Sequence, residues 1–286
     1  MPYSTLITVE QLQALQSSGS PLVIFDCSSE LANPQAGPEQ FAQQHIAGAR
    51  YAHLDLHLSA KGERPAVNGG RHPLPTRESF AQWIGSQGVG NSTQVVVYDR
   101  QGVHYCGRLW WMLQWLGHEA VAVLDGGLQA WVAAGGATAT GEAAPATACD
   151  FALHPPRVTL VDADTVLAHL GQPDQHIIDA RGAPRFRGEV EPLDPKAGHI
   201  PGALNRPFTS NFGPDGKFKP AAQLRSEFQS LLGQRDAAHV VHHCGSGVTA
   251  VPNVLAMVLA GYPTPALFAG SWSEWCAHPD RPVAQG

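Results

Sequence analysis

Residues 242 to 249 read His-His-Cys-Gly-Ser-Gly-Val-Thr and follow an apolar pair, Val240-Val241. Cys244 therefore leaves a short strand, enters a loop holding Gly245 and Gly247, and precedes a helix-like run from Val248 to Leu259. Backbone N–H groups in such a loop converge on one point, and the following helix adds its positive end. That setting stabilises a sulfur anion, so Cys244 is the candidate nucleophile. The bland alternative is a buried structural thiol, because free cysteine is among the most buried residue types. The glycine-flanked loop at a strand end favours chemistry. His242 and His243 either raise the thiolate content by proximity or are strand-end residues tied to backbone. The other thiols read as structural: Cys27 follows a buried strand, Cys106 lies in a helix, Cys149 in a linker and Cys276 near the end. A cysteine phosphatase would need an arginine six positions after the nucleophile, and position 250 is alanine.

The chain of 286 residues is long enough for one large or two ordinary domains. Its 43% apolar and 15% charged residues describe a globular chain with ample core. A net charge of -6 gives no reason to expect nucleic acid or an anionic membrane as a partner. No apolar run approaches ~18 residues, so no transmembrane helix is expected. The start, Met1 to Ile7, lacks the basic head and apolar stretch of a secretory signal. Five cysteines without a Cys-x-x-Cys pair, and fourteen histidines without His-Glu-x-x-His, point away from a metal site and a dithiol motif. A reduced, cytoplasmic protein with free thiols and no metal or organic cofactor is the expectation.

The elements that must position Cys244 come in two copies. Val23-Ile24-Phe25-Asp26 returns as Ile177-Ile178-Asp179, and His45-Ile46-Ala47-Gly48-Ala49 as His199-Ile200-Pro201-Gly202-Ala203. Val95-Val96-Val97-Tyr98-Asp99 corresponds to Val240-Val241-His242-His243-Cys244, and Gly126 and Trp131 to Gly270 and Trp275. The first copy is longer between positions 50 and 95, and Ser59 to Pro75, rich in Gly, Pro and charge, is the place for that longer loop. Each copy alternates apolar strands with helical patterns, near Thr8–Ser17, Thr76–Gln87 and Tyr105–Leu116, then Asp162–Leu170, Ala221–Leu232 and Val248–Leu259. This alternation predicts an α/β fold, a parallel sheet with helices on both faces in each copy, with the site beyond the carboxyl ends of the strands. The division expected is residues 1–134, a linker over 135–156, and 157–286. Asp99 stands where the second copy has Cys244, so the first copy is expected to be catalytically silent. Asp26 and Asp179 read as structural acids, with Arg181 the ion-pair partner of the latter. Trp110, Trp111 and Trp115, at helical spacing, read as packing residues.

The two-copy layout, the His199–Ala203 motif, the loop Cys244 to Thr249 and Gly270-Ser271-Trp272-Ser273-Glu274-Trp275 together resemble the tandem-domain rhodanese sulfurtransferases, over about Leu22 to Trp275. The resemblance implies two rhodanese-like domains and a Cys244 persulfide that carries sulfur from a small donor to a thiophilic acceptor: cyanide, a thiol or thioredoxin. It also implies a monomer. The loop Gly245, Ser246, Gly247, Val248 and Thr249 would bind the donor. Thiosulfate-type loops carry basic residues after the cysteine, whereas Gly245-Ser246 is like the mercaptopyruvate type. In that type a Ser-His-Asp relay matches Ser246, His72 and Asp55, and Arg185 matches the arginine that holds the anionic end of the donor. Read as residues alone, His72 in a His-Pro loop could mark only a turn, Asp55 a cap, and Ser246 and Thr249 loop or helix stabilisers. One departure is Leu193, which follows Glu191-Pro192 where a second substrate arginine is usual; Arg187 is the nearby candidate to compensate. Mercaptopyruvate is the expected donor, thiosulfate the alternative, and a non-enzymatic persulfide carrier the third reading.

Overall fold

The computed structural model describes residues 2–286, which form two compact units. The first comprises the chain up to Pro65, Pro75–Arg157 and Pro214–Lys217; the second comprises Ala66–Leu74, Val158–Gly213 and Phe218–Gly286. The units are thus not contiguous in sequence: the nine residues from Ala66, inside the long loop of the first copy, pack with the second unit.

In the first unit the strands are β1 (Leu6–Ile7), β2 (Leu22–Asp26), β3 (His45–Ile46), β4 (Arg50–Tyr51), β5 (Gln94–Tyr98), β6 (Val121–Leu124) and β7 (Thr138–Ala139). Five form a parallel sheet in the order β1-β6-β5-β2-β4, and β3 pairs antiparallel with β7. The helices are α1 (Val9–Ser17), α2 (Ala36–Gln43), α3 (Arg77–Ser86), α4 (Cys106–Trp115) and α5 (Gly127–Ala133). Thr8 and Thr76 cap α1 and α3 by accepting the amide hydrogens of Gln11 and Ser79, which is why these helices begin where a hydroxyl precedes an apolar periodicity. Every residue of β5 is buried, as its unbroken Val-Val-Val run requires of a central parallel strand. All three helix-spaced tryptophans of α4 are buried.

The second unit repeats the plan with β8 (Leu160–Val161), β9 (His176–Asp179), β10 (Leu204–Asn205), β11 (Val240–His243) and β12 (Ala266–Phe268). Their parallel order, β8-β12-β11-β9-β10, is that of the first sheet element for element. It is flanked by α6 (Ala163–Ala168), α7 (Ala183–Phe186), α8 (Ala221–Leu232), α9 (Val251–Leu259) and α10 (Ser271–Trp275). The duplication reaches side-chain detail. His45 stacks on Phe41 at 3.8 Å with Nδ1 2.8 Å from its carbonyl oxygen, and His199 does the same with Phe186 at 3.8 and 2.8 Å. That is the physical content of the repeated His-Ile-x-Gly-Ala. Apolar clusters centred on Ile24, Val96, Leu124 and Trp131 in one unit and Ile177, Val241, Phe268 and Trp275 in the other form the cores. Among the described residues no helix is long and apolar enough to cross a membrane.

Candidate functional site

Strand β11 ends at His243, so Cys244 is the first residue beyond the carboxyl end of the central strand, and α9 does not begin until Val251. Pro252 is therefore the second helical residue, where its missing N–H costs nothing. The intervening turn is held from below by α10. The Cys244 amide donates to Ser271 Oγ (3.1 Å), Trp272 N donates to Cys244 O (3.0 Å) and Ser273 N donates to Gly245 O (2.9 Å). Ser271 sits at φ 56°, a left-handed conformation rare outside glycine, and its hydroxyl also donates to Phe268 O at 2.9 Å. Gly247 has φ 73°, and a β-carbon there would lie 2.1 Å from Ala269 O. Cys244 itself is 1% exposed, and Val248 and Thr249 complete the turn before α9.

The two histidines before Cys244 are fully buried. Burial pushes the His242 pKa down to about 3, with His243 and Arg206 adding to the effect. Its Nε2 lies 3.1 Å from Met257 Sδ. Burial also lowers His243, against the pull of Asp179; its Nδ1 stands 3.1 Å from Cys244 O. His242 is therefore a neutral structural residue near pH 7, not a cationic activator. Burial likewise raises the Cys27, Cys106 and Cys276 thiols, which disfavours their reactive form.

Ser246 and His72 are brought together: His72 Nδ1 stands 2.7 Å from Ser246 Oγ, both residues nearly buried. His72 belongs to the Ala66–Leu74 segment of the second unit. That segment is seated by the Arg71 amide donating to Ser273 Oγ (3.0 Å), and Leu74 N donates to Asn68 Oδ1 within it. Asp55 lies in the first unit, where its carboxylate pairs with Lys61 at 2.6 Å.

A ladder of alternating charges runs to the same loop. Asp179, at the end of β9, holds Arg181 (2.6 Å); Arg181 reaches Glu191 (3.3 Å); Glu191 grips Arg185 (2.6 Å); Arg185 touches Asp194 (3.2 Å); and Asp194 binds Arg71. Burial pushes the Asp179 carboxyl up, but His243 and Arg181 together carry it below its ordinary value. The four inner members are nearly fully buried, while Arg185 and Arg71 are 20% and 27% exposed. Those two guanidinium groups converge over the loop: a β-carbon on Gly245 would stand 2.8 Å from Arg71 Nη2 and 3.4 Å from Arg185 Nη1. Arg187, the expected substitute for the arginine replaced by Leu193, instead chelates Glu189 at the surface at 2.6 and 3.0 Å. Leu193 is 47% exposed. Sequence reading missed Arg71, whose signal was a lone cation in Asn68-Gly69-Gly70-Arg71-His72, and missed the roles of Glu191, Asp194, Ser271 and Ser273.

The equivalent turn of the first unit shows what such a loop binds. The Asp99 carboxylate accepts four backbone N–H groups, from Gln101 (3.0 Å), Val103 (2.9 Å), Tyr105 (2.8 Å) and Cys106 (2.9 Å). The cradle is filled by an anion that the chain supplies itself. In the second unit the same position carries a thiol, which can instead exchange a sulfur atom. Among the described residues no cluster of side chains suits a metal ion.

The rhodanese-like domain matches residues 8–134 and again 162–278. A protein of Pseudomonas aeruginosa named "Probable 3-mercaptopyruvate sulfurtransferase" is 46% identical over 287 residues, covering 100% of both chains. A "Thiosulfate sulfurtransferase" of Gallus gallus is 31% identical, covering 90% of this chain and 87% of its own. The crystal structure of SseA from Escherichia coli, described among 3-mercaptopyruvate sulfotransferases, superposes with a TM-score of 0.79 at 28% identity, covering 95% of this chain and all of that one. The duplicated sheet, the thiol at the end of its central second-copy strand and these full-length relatives lead to one conclusion: the chain belongs to the rhodanese family and is a sulfurtransferase with two rhodanese-like domains.

Proposed function

We infer that the chain moves a sulfur atom from 3-mercaptopyruvate to a thiophilic acceptor through a Cys244 persulfide. The observation that carries this reading is the 2.7 Å contact of His72 Nδ1 with Ser246 Oγ, two residues beyond Cys244. A hydroxyl–imidazole pair can relay a proton, which a thiol donor needs and thiosulfate does not. In the first half-reaction the Cys244 thiolate attacks the donor sulfur. An S–S bond forms, the C–S bond breaks, and its electron pair passes to carbon as the enolate of pyruvate. The proton leaving the donor thiol passes through Ser246 and His72 to that carbon, with Asp55 the third member of the relay. In the second half-reaction the acceptor takes the outer sulfur, and the S–S electrons return to Cys244 as thiolate. Arg185 holds the carboxylate of the donor, and the loop Gly245 to Thr249 surrounds the sulfur.

The acceptor is a thiophile, either a small one such as cyanide or a thiol or the protein thioredoxin, and the chain acts as a monomer. Five free cysteines support a reducing, cytoplasmic setting. The nucleophile lies in the second domain, residues 157–286, joined through 135–156 to a first domain, 1–134, which has Asp99 in place of a nucleophile of its own, is silent by itself and lends the site His72. Two measurements test this. With cyanide as acceptor, kcat/KM for 3-mercaptopyruvate should exceed that for thiosulfate; the opposite order would replace the donor. The donor alone should add the mass of one sulfur to the protein, and Cys244→Ser should abolish it; a fully active serine variant would sink the mechanism.

A further inference from the structure

We propose that Glu274 of α10 is a positioning residue for the Ser246–His72 pair: its carboxyl group docks the Gly69-Gly70 tip of the Ala66–Leu74 segment, and that docking sets His72 against Ser246. The proposal rests on the proton relay read above and adds the residue that assembles it. The segment is closed at its base, where Val67 N donates to Leu74 O (2.9 Å) and Leu74 N to Asn68 Oδ1 (3.0 Å). Those bonds fix its shape and leave its position to contacts at the tip, which are with α10. A β-carbon on Gly69 would stand 3.1 Å from Glu274 Cγ and 3.2 Å from its Oε1. One on Gly70, at φ 90°, would stand 2.7 Å from both Gly270 O and Ser273 Oγ. The Arg71 amide completes the attachment by donating to Ser273 Oγ at 3.0 Å, and His72 is the next residue.

Glu274 is packed from its other side by Gly270, where a β-carbon would fall 1.4 Å from Oε2. That oxygen is buried, with no hydrogen-bond partner among the described residues. Burial raises the Glu274 carboxyl, and hydrogen bonding to the Gly69 backbone works against that rise. Burying a carboxyl group costs free energy, and an alanine would pack here without that cost. The first copy does so: Ala130 holds the corresponding position, and a β-carbon on Gly126 would meet its side chain at 2.7 Å. The carboxyl group thus belongs to the copy that carries Cys244. The same five-residue helix supports the nucleophile loop, through Trp272 N to Cys244 O and Ser273 N to Gly245 O. Helix α10 therefore sets the distance between the loop that presents Ser246 and the segment that presents His72. A hydroxyl–imidazole pair passes a proton only within hydrogen-bond reach, so loosening the tip costs the relay before it costs the fold.

The test follows the two half-reactions of the full-length enzyme by stopped flow: loading of sulfur from 3-mercaptopyruvate, and discharge by cyanide from enzyme loaded beforehand. Glu274→Ala should slow loading ~10- to 100-fold, the size of a lost relay, and leave discharge within about threefold, which also shows that the variant is folded. Gly70→Ala, which lifts the same tip off Gly270 and Ser273, should give the same split. Glu274→Gln keeps the shape and one acceptor oxygen, so it should restore loading to within about threefold of wild type. In a His72→Ala background, where the relay is already lost, Glu274→Ala should slow loading no further, because residues that act through one another are not additive. Unchanged loading by Glu274→Ala, an equal loss in both half-reactions, or losses that multiply in the double variant would each overturn the role of Glu274 alone. If His72→Ala itself loads from 3-mercaptopyruvate at the wild-type rate, the relay falls first and the positioning role with it.

Discussion

At the scale of single residues, the proposed site divides into one atom, Cys244 Sγ, assigned to exchange sulfur and several that hold its surroundings still. Cys244 is held by two hydrogen bonds from α10, to Ser271 Oγ and from Trp272 N, whereas Ser246 meets a side chain from a segment 174 positions earlier. That contact has a separable consequence. Ser246→Ala should lower kcat/KM for 3-mercaptopyruvate ~10²-fold, the usual size of a lost proton relay. The rate at which cyanide removes sulfur from enzyme already loaded with persulfide should hardly change, because that step moves no donor proton. Stopped-flow measurement of the two half-reactions decides it: equal losses in both would assign Ser246 to loop architecture. Cys244 was legible in the sequence because a glycine-flanked cysteine after an apolar run is a local pattern. Arg71 was not, because its place over Gly245 is set by its pairing with Asp194, 123 residues away, and no local pattern records that.

At the scale of elements, β11 delivers Cys244 to the site and does so at a cost. A fully buried central strand would ordinarily read as Val or Ile throughout, yet its last two residues are His242 and His243. His242 is uncharged in the folded state near neutrality, and its Nδ1 has no hydrogen-bond partner among the described residues. The His242 pKa of about 3 lies below the ordinary 6.5. Below pH 6.5 the unfolded chain takes up a proton that the folded chain refuses until about pH 3. Stability is thus complete above pH 6.5 and falls as pH drops through that window, with a slope of ~1.4 kcal/mol per pH unit for one proton; His243, also lowered, acts in the same direction. His242→Leu should make urea-unfolding free energies less steep between pH 6.5 and 5 and raise the midpoint at pH 5 more than at pH 8. Parallel pH curves for variant and wild type would show that His242 is not the source.

At the scale of the whole molecule, the duplication is the main fact, and it was legible because buried parallel strands leave apolar runs whose order survives in both copies. The two sheets share strand order element for element, and even the histidine-on-phenylalanine stacks recur. What could not be read is the exchange of short segments between compact units, Ala66–Leu74 packing with the second and Pro214–Lys217 with the first; both are Gly- or Pro-rich loops whose partners are set by tertiary contacts. The duplication also explains the fate of the first cradle. Asp99 satisfies four backbone N–H groups, three of them buried, with two oxygens, so its carboxylate is as much a part of that turn as the backbone. Asp99→Asn would keep one acceptor oxygen and turn an NH₂ group toward two amide donors, leaving them unsatisfied at ~1–3 kcal/mol for the turn. Five of the seven tryptophans belong to the first unit, so fluorescence-detected urea unfolding should register the loss as an earlier midpoint. Folded Asp99→Asn enzyme should still load one sulfur, at Cys244. An unchanged midpoint would mean that the carboxylate is dispensable to the turn. Sulfur found at a first-unit cysteine of the variant would mean that the Asp99 carboxylate, and not the absence of a nucleophile, keeps the first copy silent.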